Sequence, residues 1–320
     1  MKKPLIILTG PTAVGKTKAS IGLAKKIGGE IISADSMQVY KYMDIGSAKI
    51  RQEEMDGVTH HLIDVLMPEE EFNVVRFQSL AKKAMEEIYA KGHIPIVVGG
   101  TGFYIQALLY DIDFTANEEE TSYRNELETY AKLNGAEALH EKLKEVDPVS
   151  AQTIHANNIK RVIRALEFYH QTGQKISEHN AQERQKESPY AFAYFVLNDD
   201  RKVLYNRIEK RIDQMLEEGL VEEVRALKER GCTRELVSMQ GLGYKEILAY
   251  LEGEITLSEA VYLLKRDTRH FAKRQLTWFR RERDVIWIEK QEFHNDETLI
   301  LNEILRILKE KKITAAADGI

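Results

Sequence analysis

The run Gly10-Pro-Thr-Ala-Val-Gly-Lys-Thr17 restricts this chain more than anything else in it. It follows a short β-branched apolar stretch at residues 5–8 and precedes a helical period over residues 15–27. A glycine, four residues and then Gly-Lys-Thr, set between a strand and a helix, is the phosphate-loop pattern. Backbone N–H groups of such a loop converge on one concavity, Lys16 adds a cation and Thr17 can ligate Mg²⁺. The expected diphosphate-binding residues are Gly10, Pro11, Thr12, Ala13, Val14, Gly15, Lys16 and Thr17, with Thr17 as metal ligand. The loop alone does not say whether its diphosphate belongs to ATP or to another molecule.

Residues 30–33, 94–98, 193–197 and 285–288 read as further buried strands, and helical periods such as residues 74–91 lie between them. That alternation predicts an α/β fold, a P-loop parallel-sheet core. From about 115 to 188 only helical periods occur, which predicts a helical insertion domain. The expected division is 1–115 with 190–320 for the core, its C-terminal part mainly helical, and 116–189 for the insertion. Residues 315–320 are small and read as a frayed end.

Composition excludes several classes. With 43% hydrophobic and 30% charged residues the chain is neither disordered nor fibrous. Residues 1–9 read as a first strand and not a leader, and no apolar run approaches the roughly 20 residues that span a bilayer. Cys232 is the single cysteine, so an internal disulfide and a cysteine zinc site are excluded, and a reducing, cytoplasmic location is expected. The net charge of −5 argues against a protein basic all over. Locally, however, residues 265–283 hold eight Lys or Arg against Asp267 and Glu282, whereas residues 118–120 are all acidic.

Two further runs follow strands and so belong at the carboxyl edge of a parallel sheet, where such sheets bind ligands. Asp35 ends the second strand: it could take a proton from an attacking amine or hydroxyl or hold a metal through water, or simply cap a following helix. Gly99-Gly-Thr-Gly-Phe-Tyr104 ends the strand at 94–98; it could let a ligand close to the backbone beside Thr101, or be a plain turn into a helix. No acid ends that strand, which disfavours ATP hydrolysis, with Asp64 the other acid to consider. Farther on, Arg266, Arg269, His270, Lys273 and Arg280 recur at helical steps, with Phe271, Trp278 and Phe279 interleaved. Phosphate backbones and unpaired bases suit such a face, although a solvated charged face with aromatics in the core reads the same way.

Taken in order, GPTAVGKT (10–17), DSMQVYKYMDIGSAK (35–49), HHLIDV (60–65), GGTGFYIQALL (99–109), RVIRALE (161–167), RIEKRIDQMLEEGLVEEV (207–224), GLGYKE (241–246) and KRQLTWFR (273–280) resemble the tRNA dimethylallyltransferase, or tRNA isopentenyltransferase, family of bacterial type. The resemblance implies transfer of a dimethylallyl group from dimethylallyl diphosphate to N6 of the adenosine immediately 3′ of the anticodon, with Mg²⁺. It implies Asp35, Thr101 and Arg211 as catalytic residues, respectively base, partner at the reacting centre and diphosphate clamp. The tRNA anticodon stem-loop would touch Ser36, Met37, Gln38, Arg124, Ile159, Lys160, Arg161, Val162, Ile163, Gln240, Gly241, Leu242, Gly243, Tyr244, Lys245, Lys273, Arg274, Gln275, Trp278 and Arg280. Ser47, Ile50 and the pair Ile159-Lys160 depart from the family pattern, and a single cysteine excludes the zinc finger that eukaryotic members often append. A monomer is expected. The rival functions are an adenylate isopentenyltransferase acting on a free nucleotide and a P-loop kinase of a small metabolite.

Overall fold

The computed structural model describes residues 2–114 and 121–314 of the 320-residue chain. The acidic stretch at 118–120, the expected boundary near 115 and the C-terminal residues 315–320 lie outside these. The chain divides into two compact units, Met1–Leu109 with Pro189–Ile320, and Tyr110–Ser188.

The first unit is built on β1 (Lys3–Thr9), β2 (Gly29–Ala34), β3 (His60–His61), β4 (Ile94–Gly99), β5 (Tyr190–Asn198) and β6 (Val285–Glu289). They form one parallel sheet in the order β3-β2-β4-β1-β5-β6. The middle strands are apolar along almost their whole length because helices leave neither face to water, and Leu5, Ile6, Ile7 and Leu8 are all buried. Helices α1 (Lys16–Ile27) and α2 (Val74–Ala90) both pack on β2 and β4; α3 (Gly102–Leu109) lies against α2. Asn73 starts α2 by accepting the Arg76 N–H at 3.0 Å, and Gly28 ends α1 in the left-handed conformation at φ 63°.

The second unit contains α4 (Thr121–Val146), broken at Gly135, then α5 (Pro148–Thr153), α6 (Ile159–Thr172) and α7 (Ile176–Gln185). It has its own core around Leu127, Leu139, Leu143, Val162 and Ile163. After β5 the first unit resumes with α8 (Arg201–Glu217), α9 (Leu220–Glu229), α10 (Tyr244–Leu251) and α11 (Leu257–Phe279), and after β6 with α12 (Glu297–Glu310), which packs on α1. The two-residue β3 and α12 are additions to the sequence reading. A strand of two residues has no alternation to detect.

Register decides where the site is. Thr9 pairs with Gly99, and Gly99 pairs with Ala34, so β1, β4 and β2 end at one level. The Thr9 hydroxyl donates to Gly99 O at 2.6 Å and ties two of these ends together. The loops that begin at Gly10, Asp35 and Gly100 therefore leave the same carboxyl edge.

Candidate active site

The phosphate loop turns on residues that must take left-handed backbone. Gly10 (φ 146°), Ala13 (φ 62°) and Gly15 (φ 100°) carry the chain from β1 into α1. A Cβ at Gly10 would stand 2.3 Å from Leu197 O of β5, so only glycine fits there. The first amides of α1 have no partner within the helix and are available to an anion.

Lys16 lies folded onto this loop, donating to Gly10 O at 3.0 Å and Pro11 O at 2.9 Å. Burial pulls its ammonium down to about 8, the nearby Asp35 carboxylate resists this and the Arg211 guanidinium adds to it. Arg211 of α8 is likewise lowered by burial, again opposed by Asp35. Lys16, Asp35 and Arg211, which are 19 to 195 positions apart in the chain, thus share one electrostatic neighbourhood. Arg211 reaches Ala48 O at 3.5 Å, and Gln38 donates to the same carbonyl at 3.3 Å.

No helix follows Asp35. Its Oδ1 accepts the N–H groups of Met37 (2.8 Å) and Gln38 (3.4 Å), which makes a turn, and among the described residues Oδ2 has no hydrogen bond. Thr101, half-buried, is fixed by its backbone N–H to Ala34 O at 3.3 Å. The side chain of Thr17 is exposed at the start of α1. Asp64 is held by Lys49 at 2.6 Å and Asp44 by the same lysine at 2.5 Å, so Asp64 is committed to a structural ion pair.

Several residues expected to meet RNA are interior. Val162 and Ile163 belong to the core of the helical unit, and Gly243 is buried. Tyr244, fully buried, donates to Glu223 at 2.9 Å and accepts the Ser47 N–H at 3.1 Å. Glu223 also takes the N–H groups of Asp44, Ile45 and Gly46 at 2.7–3.0 Å. Tyr244 therefore holds the 44–48 loop instead of presenting a ring to solvent. Gln275 is buried too, and Phe279 is core. Side chains sealed in this way cannot touch a macromolecule, and these expectations are corrected.

Other members of the set are accessible. Ser36, Met37 and Gln38 are half-buried, and Met37 lies against Gly241, where a Cβ would come within 2.4 Å of its methyl carbon. Gln240 and Lys245 are exposed and Leu242 half-buried. On α11, Arg266 pairs with Asp267 and Arg269 with Glu209 at 2.6 Å, so the first half of the basic run is engaged within the protein. Lys273, Arg274 and Arg280 are exposed; a cleft of about 460 Å³ is lined by His270, Lys273, Arg274, Thr277, Trp278 and Arg281. Trp278 packs edge-on against Phe103 at 6.2 Å and over Gly102, where a Cβ would meet its ring at 2.2 Å. In the helical unit Lys160 and Arg161 are exposed and Ile159 is half-buried, while Arg124 makes a two-pronged pair with Glu167 at 2.8 and 2.7 Å.

One residue escaped the sequence reading. Lys290, buried just after β6, donates to Val14 O at 3.1 Å, adding a cation behind the phosphate loop, and burial lowers its pKa. A lysine closing a strand at the carboxyl edge is the only signal it leaves.

Residues 38–282 match the family described as IPP transferase. The chain belongs to that family. A protein of Lachnoclostridium phytofermentans named tRNA dimethylallyltransferase is 65% identical over 97% of this chain and 99% of its own, and one of Acetivibrio thermocellus with the same name is 53% identical over 93% and 95%. Among solved structures, the full-length tRNA isopentenylpyrophosphate transferase of Bacillus halodurans is 47% identical, with a TM-score of 0.73 over 97% of this chain and 98% of that one. A eukaryotic dimethylallyltransferase acting on tRNA is 32% identical, with a TM-score of 0.79 over 90% and 74%. The chain is accordingly an enzyme, a prenyltransferase on a P-loop α/β core.

Proposed function

We propose that this enzyme transfers the dimethylallyl group of dimethylallyl diphosphate to N6 of the adenosine immediately 3′ of the anticodon in tRNA, releasing diphosphate. The observation that carries this reading is the phosphate loop at the carboxyl edge of the sheet, with Lys16 folded onto the carbonyls of Gly10 and Pro11 and the charges of Asp35 and Arg211 acting on it. The diphosphate sits on residues 10–17, and Lys16 exchanges the carbonyls of Gly10 and Pro11 for phosphate oxygens. Lys16 and Arg211 then oppose the negative charge that grows on the leaving group as the allylic C–O bond breaks. The adenosine, turned out of its stack, presents its amino group to the free carboxylate oxygen of Asp35, which takes the N6 proton as the new C–N bond forms. Thr101, on the neighbouring turn, hydrogen-bonds at this reacting centre.

A divalent cation, Mg²⁺, belongs to this reading. Among the described residues no group of three His, Cys, Asp or Glu could hold a metal. The Thr17 hydroxyl offers one hard oxygen, which suits Mg²⁺, an ion that takes few protein ligands and keeps water and phosphate oxygens for the rest. When bound, the ion neutralises charge on the departing diphosphate.

The exposed Lys273, Arg274 and Arg280, with Ser36–Gln38, Gln240–Leu242 and Lys245, form the RNA-facing part of the first unit, and Arg124 with Ile159–Arg161 that of the helical insertion. In this reading the enzyme works as a monomer, in the cytoplasm. Labelled dimethylallyl diphosphate, offered with tRNA, with tRNA lacking the target adenosine and with AMP, tests the reading. Label should enter only the first. Transfer to AMP would identify a free-nucleotide enzyme instead.

A further inference from the structure

Gln275 carries a role that its place in a basic, exposed helix conceals. Its side chain is 6% exposed and both ends of its amide are used. Oε1 accepts the Thr12 N–H of the phosphate loop at 2.9 Å, and Nε2 donates to Gly100 O, in the turn that carries Thr101, at 3.0 Å. The amide fits only this way round, since the reverse would set NH₂ against N–H and oxygen against oxygen. The approach is close: a Cβ on Gly100 would lie 2.0 Å from Nε2. The two loops it joins belong to β1 and β4, and Gln275 itself is 263 positions from Thr12.

We propose that Gln275 is a positioning residue for prenyl transfer: it sets the separation between the loop that holds the donor and the turn that holds Thr101. This rests on reading residues 10–17 as the donor site. Gln275 touches neither substrate. It commits the Thr12 N–H, leaving the later amides of the loop and the first turn of α1 to the diphosphate, and it fixes the Gly100 carbonyl so that the next residue, Thr101, meets the acceptor at a constant distance. A displacement of about one ångström between reacting groups costs on the order of a hundredfold in rate, so a short, doubly satisfied link of this kind is where such precision can be held.

The test compares full-length wild type with Gln275→Met, which keeps the volume and loses both hydrogen bonds, and Gln275→Glu, which keeps the acceptor for Thr12. Steady-state kinetics use dimethylallyl diphosphate and a tRNA anticodon stem-loop, with thermal unfolding alongside. For Gln275→Met, kcat should fall about ten- to a hundredfold and KM for the donor should rise, the loss of two buried hydrogen bonds, while KM for the stem-loop stays within about twofold. For Gln275→Glu, activity relative to wild type should recover as pH falls from about 8 to about 6, because a buried carboxyl facing Gly100 O titrates above its ordinary range and donates once protonated. A purely structural role would lower the unfolding temperature of Gln275→Met but leave kcat and donor KM near wild type at temperatures where the variant is folded. A wild-type kcat and donor KM in Gln275→Met, or a Gln275→Glu deficit independent of pH, would overturn the proposal. A rise in stem-loop KM alone would return Gln275 to the RNA surface. Failure of the wild type to use the donor would instead remove the functional reading itself.

Discussion

Lys16 is the residue whose state most directly sets donor binding. In the free loop it bonds only to carbonyls, and burial brings it down to about 8. A diphosphate supplies the missing opposite charge, so the complex holds the proton more tightly than the free enzyme. Donor affinity is therefore expected to be flat between about pH 7 and 8, where the donor's own phosphate is already ionised, and to fall by up to about tenfold per pH unit above it, until the pKa of the complex is reached. Calorimetric titration of dimethylallyl diphosphate across that range checks this. Lys16→Arg stays charged and should lose the slope; a slope that survives belongs to another group. Asp35 predicts a different pattern. Asp35→Asn keeps the acceptor for the Met37 and Gln38 N–H groups, so the turn and donor affinity should survive, while single-turnover transfer slows by about a hundredfold or more. Near-normal turnover would leave Asp35 as a turn residue only.

Among the elements, α11 joins two surfaces of opposite character. Its buried face carries Gln275 and Phe279, and its exposed face carries Lys273, Arg274 and Arg280. If the exposed face meets phosphates, each lost contact should flatten the log–log dependence of tRNA affinity on salt by roughly one unit. Lys273→Ala with Arg280→Ala should thus lower the slope by about two units and leave donor affinity unchanged, measured by filter binding over a salt series. An unchanged slope removes α11 from the RNA surface. The 44–48 loop depends on two other helices, α9 through Glu223 and α10 through Tyr244. Tyr244→Phe leaves the Ser47 N–H and Glu223 without that hydroxyl and should cost about 1–2 kcal/mol in urea unfolding, which is the usual range for a buried hydrogen bond.

At the scale of the molecule, the two edges of the sheet have different work. Opposite the carboxyl edge, at the start of β2, the buried Glu30 lies 2.7 Å from both His61 Nε2 and His93 Nδ1 and 3.0 Å from Lys91 Nζ. Burial alone would raise Glu30; the three partners outweigh it and push the carboxyl down to about 2. With the folded value below the unfolded one, the stabilisation is complete above the ordinary carboxylate range and lost as pH falls through it towards about 2. Glu30→Gln should cost about 3 kcal/mol at neutral pH, flatten the acid limb of the stability curve below about pH 5 and leave the kinetics intact. Equal acid limbs by urea unfolding would contradict this.

The parallel core and the phosphate loop are legible in the sequence, because both are local. Gly10 and Gly15 are required by backbone angles fixed within the loop, and uninterrupted apolar runs such as residues 5–8 fit only strands covered on both faces. It also placed Asp35 and Thr101 after strands, and in a parallel sheet every strand ends at the same edge. Which neighbours they meet depends on packing between distant parts of the chain. Arg211 approaches Asp35 and Lys16, Lys290 approaches Val14, and Gln275 turns inward to Thr12 across separations of up to 276 positions. A helical period states that Lys273, Gln275 and Phe279 lie around one cylinder, but which side is buried depends on what packs there. Here α3 and the loops at Gly10 and Gly100 lie against α11, so the same eight residues that resemble an RNA-binding motif hold both a solvent-facing basic surface and the link between two catalytic loops.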